Sequence, residues 1–304
     1  MLGAKAAILV VLGIFLLGYA LAWIQGIRQL RRSHAENPTG PSGWPNLLET
    51  GIGFVTNFFD TLGIGSYAPT TSIYKLCKVV SDEQIPGTLN VGHTPATITQ
   101  AFIFIAIVEV DTTTLVLLIT ASILGAWLGA GVVAAWPRRK IQLGMGVALL
   151  VAATIFLLTN LRLLPGGGAT LGLTGFRLAV GVLGNFFLGA LMTLGIGLYA
   201  PCMILLSLLG MNPITAFPIM MGSCAFLMPV ASIRFIRKQR YRLRPALGLV
   251  LGGVPAVLIA AFIVKALPLT AVRWLVVGVV VYAATAMLRS VAKDGLLFAQ
   301  PSEP

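Results

Sequence analysis

Charge is scarce in this chain. Of 304 residues, 21 are Lys or Arg and nine are Asp or Glu, 10% in all, against about 25% in an ordinary soluble domain. With 57% hydrophobic residues and a mean hydropathy of +0.94, the chain cannot clothe a soluble globule and reads as an integral membrane protein. Cysteine is equally sparse. Cys77, Cys202 and Cys224 are scattered, with no C-x-x-C pair, so neither a disulfide framework nor a zinc site follows, and no metal or other cofactor is expected. Also missing are H-E-x-x-H and G-x-S-x-G. Asp60 is the one acid deep in an apolar stretch, while Glu49, Glu109 and Asp111 sit at stretch ends. A paired-aspartate protease would lack its second carboxylate, and no enzyme is expected.

What is present is long apolar sequence. Stretches run over 6–25, 47–79, 85–108, 113–136, 141–160, 175–210, 213–233, 246–265 and 270–290. Seven have the roughly 20 residues that cross a bilayer as a helix. Those at 47–79 and 175–210, 33 and 36 residues long, would reach roughly 50 Å as single helices, against roughly 30 Å of hydrocarbon. Each reads as two half-helices.

The same two stretches carry a repeat. Thr-Leu-Gly-Ile-Gly-x-Tyr-Ala-Pro occurs at Thr61–Pro69 and at Thr193–Pro201, 132 positions apart, differing only in Ser66 against Leu198. The chain is therefore built from two related halves. Asn57-Phe58-Phe59 recurs as Asn185-Phe186-Phe187 with an offset of 128, which lengthens the second half-helix by about one turn. Two Gly and a Pro inside each apolar stretch mark a break.

Basic residues define the topology. If each broken stretch is a re-entrant hairpin, Arg28, Arg31, Arg32, Lys75, Lys78, Arg138, Arg139, Lys140, Arg234, Arg237, Lys238, Arg240, Arg242, Arg244, Arg289 and Lys293 fall on one face, 16 of 21. Lys5, Arg162, Arg177, Lys265 and Arg273 fall on the other. The positive-inside rule makes the first face cytoplasmic, with the N-terminus outside and the C-terminus inside. The second hairpin then enters from the side opposite the first, as in the inverted repeats of secondary transporters. The net charge of +12 sets topology and meets anionic membrane lipids, so no nucleic-acid partner is expected.

The expected organisation is an N-terminal transmembrane helix at 1–25, a cytoplasmic linker at 26–46, repeat 1 at 47–136, a connecting helix and loops at 137–174, repeat 2 at 175–265, and a final helix and tail at 266–304. The first 25 residues imitate a signal peptide, but Arg28, Arg31 and Arg32 immediately after them favour a retained helix. The fold class is all-α polytopic, with two inverted repeats, about seven full transmembrane helices and two broken hairpins.

The break has its own chemistry. In hydrocarbon, each backbone group freed by it would cost several kcal/mol if left unsatisfied, so water or a ligand must meet it. Pro69 and Pro201 are expected to start the second half-helices, with N-termini facing the break. Gly63, Gly65, Gly195 and Gly197 let a ligand approach the backbone. Half-helix N–H groups and dipoles favour an anion, and inverted hairpins would bring both N-termini to one central site. A cation at the carbonyl ends near Leu62 and Leu194 is the competing reading.

Several side chains are candidates. A carboxylate as deep as Asp60 is functional by default and is the candidate for proton or sodium coupling, although it could instead cap a half-helix; its counterpart is Met192. Asn57 and Asn185 could donate to the anion or bond across helices. Thr61, Ser66, Tyr67, Thr70, Thr193, Tyr199 and Cys202 flank the breaks, with packing or capping as their alternative. His93 could titrate near neutral pH and join the coupling, or simply pack.

The paired Gly-rich, Pro-terminated breaks and the helix count resemble the sulfite exporter TauE/SafE family, bacterial and plant permeases built from two related halves. The resemblance covers about 47–290 and leaves the N-terminal helix and linker outside the core pattern. It implies outward transport of sulfur-containing anions such as sulfite or organosulfonates, in the bacterial inner or plasma membrane. The reading is thus a multi-pass permease with a small anionic substrate, and a homo-oligomer is compatible with it. A passive anion channel, or an importer of another small anion coupled to a cation, is the alternative.

Overall fold

The computed structural model describes residues 2–36, 44–133, 138–161, 163, 168–192 and 197–297. These form α1 (Leu2–Glu36), α2 (Leu47–Thr61), α3 (Tyr67–Leu76), α4 (Ile85–Ile107), α5 (Thr112–Val133), α6 (Arg138–Asn160), α7 (Gly175–Met192), α8 (Tyr199–Leu208), a 3-10 turn at Pro213–Thr215, α9 (Ala216–Arg237), α10 (Leu243–Ala266) and α11 (Leu269–Leu297). The protein is all-helical. Among the described residues, Lys5–Gln29, Gly175–Met192, Pro213–Arg237 and Leu243–Ala266 are long and apolar enough to cross a membrane. The first has a mean hydropathy of 2.6 with only 11% of its span buried. Its outward Val10, Ile14, Leu17 and Leu21 therefore need an apolar solvent, which is lipid.

Helix α1 runs on to Glu36, past the end expected at residue 25 and into the stretch expected to be linker. Polarity ends a membrane span but does not end a helix: the added segment, GIRQLRRSHAE, is rich in Gln, Arg, Leu, Ala and Glu, all good helix formers.

The chain folds as two compact units, Met1–Val108 with Met221–Ala266, and Glu109–Met220 with Leu267–Pro304. In the first unit α2 packs on α10 through glycines. A Cβ on Gly252 would stand 2.0 Å from the Thr50 carbonyl, so only Gly permits this approach. Small residues let helix backbones meet where lipid removes the hydrophobic drive for association. At the helix starts, Glu49 closes a capping box with Asn46 and pairs with Arg244 at 3.0 Å. Pro95 sits inside α4 and cannot donate to the carbonyl of Val91. Tyr19 of α1 donates to that oxygen at 2.7 Å instead, docking α1.

In the second unit α7 packs on α5 in the same manner. A Cβ on Gly189 would lie 2.0 Å from the Ser122 carbonyl. The Asp111 carboxylate caps α5, accepting from the Thr114 N–H at 2.7 Å. Each half of the sequence thus supplies one helix to the unit built around the other half's broken helix: α10 joins α2, and α5 joins α7.

Candidate functional site

The motif ends α2 by a defined device. Gly63, at φ 97°, donates to Asp60 O at 2.8 Å, and Ile64 donates to Phe59 O at 3.1 Å. These are the paired bonds of a Schellman stop, which needs a left-handed residue. Gly63 is therefore fixed by the cap. Gly65, at φ 88°, has open space around the position of a Cβ, as close approach by a ligand requires.

Helix α3 then begins at Tyr67, two residues before the expected Pro69. The physical reason is that proline is tolerated throughout the first turn, where N–H groups have no helical acceptor. The first helical bond comes from Thr70 N–H to Ser66 O at 3.1 Å, and in the second copy from Cys202 N–H to Leu198 O at 3.0 Å. Both donors immediately follow the proline. Helix α8 likewise begins at Tyr199, two residues before Pro201.

Both broken segments turn back on themselves. Tyr74, near the end of α3, packs with Ile52 near the start of α2. In the second unit, Cβ atoms on Gly184 and Gly181 would meet Leu205 and Leu209, and one on Gly210 would meet Arg177, an antiparallel register between α7 and α8. Helices α3 and α8 also end alike. Val79 donates to Tyr74 O and Met211 to Leu206 O, both at 3.0 Å, with Lys78 (φ 49°) and Gly210 (φ 100°) left-handed. These positions are 132 apart, so the local repeat continues nine residues past each proline.

Inside the first hairpin the polar side chains converge. His93 of α4, fully buried, bridges Asn57 Oδ1 of α2 at 3.0 Å and Thr70 Oγ1 of α3 at 3.1 Å. Asn57 Nδ2 donates to Gly53 O at 2.7 Å. The Tyr67 ring lies 5.8 Å from the imidazole, and its buried Oη has no hydrogen-bond partner among the described residues. Deeper in the hairpin, Gln100 Nε2 donates to Asp60 Oδ2 at 2.8 Å and to Thr61 Oγ1 at 3.0 Å. Ser66, at the N-cap of α3, lies beside Asp60. Asp60 is buried, and no basic side chain among the described residues forms an ion pair with it.

The structure thus brings together Asn57, Asp60, Thr61, Ser66, Tyr67, Thr70 and His93. It adds Gln100, which sequence reasoning missed. Gln100 lies seven residues after His93, on the same face of α4, and that spacing was the available signal.

The second hairpin is organised differently. Asn185 Nδ2 donates across to Leu118 O of α5 at 2.7 Å, the interhelical alternative for that residue. Ser122 Oγ, buried beside Gly189, has no partner among the described residues. Tyr199, Pro201 and Cys202 are buried and Gly197 is exposed. Thr193 and Gly195 lie outside the described residues.

A family model described as sulfite exporter TauE/SafE matches residues 2–156, just over half the chain. The chain belongs to the sulfite exporter TauE/SafE family. The TauE/SafE match includes α1 and the residues up to 46, which were expected to fall outside the family core, and it ends short of the second repeat copy. The N-terminal helix is therefore part of the TauE/SafE pattern. This is a transporter family rather than an enzyme family, so the chain is a membrane transport protein. No curated protein and no solved structure matches the chain.

Proposed function

We propose that the protein is a secondary transporter for small sulfur-containing anions such as sulfite or organosulfonates, working by alternating access in the cell membrane. One observation carries this reading: in the first hairpin a broken helix, rather than a continuous one, gathers six motif and flanking polar residues about His93 and Gln100 of α4 in an apolar chain. Such irregular backbone persists at membrane depth only where protein, water or ligand satisfies it. The Tyr67 hydroxyl, buried without a partner, would be satisfied by a bound oxyanion. The hairpins are inverted repeats, with seven full crossings between and around them, because this topology alone gathers 16 of 21 basic residues on one face. Asp60 is the coupling group. Lacking a basic partner, it meets its charge with neutral donors, and a proton or sodium ion arriving there would change that balance.

The test is uptake of radiolabelled sulfite into proteoliposomes, with sulfate, sulfoacetate and taurine as competitors. Saturable flux driven by an imposed pH or sodium gradient is expected, and Asp60→Asn should abolish or uncouple the gradient dependence. Flux that stays linear with concentration would assign a channel instead, and no anion flux at all would end the reading.

A further inference from the structure

One nitrogen of α4 holds two oxygens of α2. Gln100 Nε2 lies 2.8 Å from Asp60 Oδ2 and 3.0 Å from Thr61 Oγ1, so its two N–H bonds are divided between a carboxylate and a hydroxyl on consecutive residues. A third hydrogen bond fixes the direction of these two. Thr61 gives its own proton to Asn57 O at 2.8 Å, which leaves its oxygen only to accept, and an ionised carboxylate also only accepts. The amide must therefore turn its nitrogen, rather than its oxygen, toward the pair.

Asp60 Oδ2 and Thr61 Oγ1 are the oxygens a sodium ion would use here, because hard cations are bound by oxygen. The place between them is taken by an NH2 group whose hydrogens point at both. No second carboxylate is at hand either. Glu49, the other buried acid among the described residues, pairs with Arg244 at the opposite end of α2. A proton needs no such cage: with the proton on Oδ1, the carboxyl group still accepts from Gln100 through Oδ2. The titratable groups around Asp60 are Tyr67 of α3 and, beyond Asn57, His93 of α4, with Cys224 of α9 beside Tyr67. Helix α10, packed on α2, brings no charge to this depth, since Arg244 is held by Glu49 and Lys265 is exposed near the helix end.

We infer that the coupling ion is a proton carried on Asp60, and that Gln100 is the positioning residue that fills the cation's place and sets the pH at which the proton is taken. This rests on the anion-transport reading and goes beyond it by choosing between the two ions and by giving a role to a residue outside the repeated motif. A donor to the ionised carboxylate favours that form, so its loss favours the protonated one.

In proteoliposomes, a pH gradient should drive sulfite flux, and a sodium gradient at uniform pH should not. Gln100→Met, which keeps the side-chain length without the N–H groups, should move the pH midpoint of that flux upward by about one to two units. Sodium-driven flux in the unmodified protein, or an unmoved midpoint in Gln100→Met, overturns the proposal. Should that variant not fold, infrared titration of the purified unmodified protein decides the matter. A carboxyl carbonyl band missing from Asp60→Asn should grow as pH falls, with the same midpoint in sodium chloride as in choline chloride. A midpoint lowered by sodium, or no such band, overturns the proposal. This titration needs no substrate, so a protein that titrates independently of sodium yet moves no sulfite would end the transport reading while Asp60 stands as a proton site.

Discussion

His93 ties the two arms of the first break to one helix, and its removal strands a buried group on one of them. His93→Leu leaves Asn57 Oδ1 without its bond at 3.0 Å, while Thr70 Oγ1 keeps its donation to Ser66 O at 2.7 Å. One orphaned buried acceptor costs about 1–3 kcal/mol, so denaturation in detergent should show a loss of that size, with His93→Gln falling between it and the unmodified protein. Tyr67→Phe makes the opposite case. Its hydroxyl has no partner among the described residues, so Phe should leave stability within about 0.5 kcal/mol while raising the KM for the anion. Equal losses of stability and affinity would make Tyr67 a packing residue. At this scale the sequence was informative because polar groups in an apolar chain are conspicuous. Asn57, Asp60, Thr61, Thr70 and His93 stand out by type, whereas Gln100 becomes visible only when helix phase from His93 is counted. The pairings themselves, such as His93 between Asn57 and Thr70, depend on how α4 crosses the hairpin, which no local pattern encodes.

The hairpin as an element is defined by its stops. Gly63 ends α2 and Gly210 ends α8, but α3 ends at Lys78 with φ 49°, where a side chain pays the left-handed penalty of roughly 1–2 kcal/mol. Lys78→Gly copies the second repeat into the first and should stabilise the protein by up to about 1 kcal/mol, read as a raised unfolding midpoint. Gly63→Ala should cost about 1–2 kcal/mol by the same measurement. A neutral result for both would mean that the caps do not hold the hairpin shut. The breaks were legible because Gly and Pro act through local backbone sterics, which a sequence shows directly. The end of α1 was not, since the expected boundary followed polarity, and Gln and Arg leave hydrocarbon without leaving the helix. Helix partners were equally hidden: Gly252 facing Thr50 and Gly189 facing Ser122 are small-residue contacts, and small residues are common throughout this chain.

For the molecule as a whole, duplication and topology are separate matters. The local repeat extends from Gly53 and Gly181 through Asn57 and Asn185 to the stops at Lys78 and Gly210, and duplication alone would be satisfied by parallel or inverted copies. Inverted copies are the proposed arrangement, since an odd number of crossings between the hairpins sorts the basic residues. Sidedness of the hairpin feet is therefore the decisive measurement, and the chain supplies half of it. Cys77, at the foot of the first hairpin, is exposed, while Cys202 and Cys224 are buried. A membrane-impermeant maleimide should modify Cys77 in inside-out vesicles and spare it in intact cells. Leu208, 48% exposed at the foot of the second hairpin, offers the matching position. In a Cys77→Ser background, Leu208→Cys should react in intact cells and be protected in inside-out vesicles. Labelling of both positions from one side would make the repeats parallel. That outcome would remove the two-sided symmetry on which alternating access is proposed, while leaving the family membership and the buried polar cluster of the first hairpin as they are.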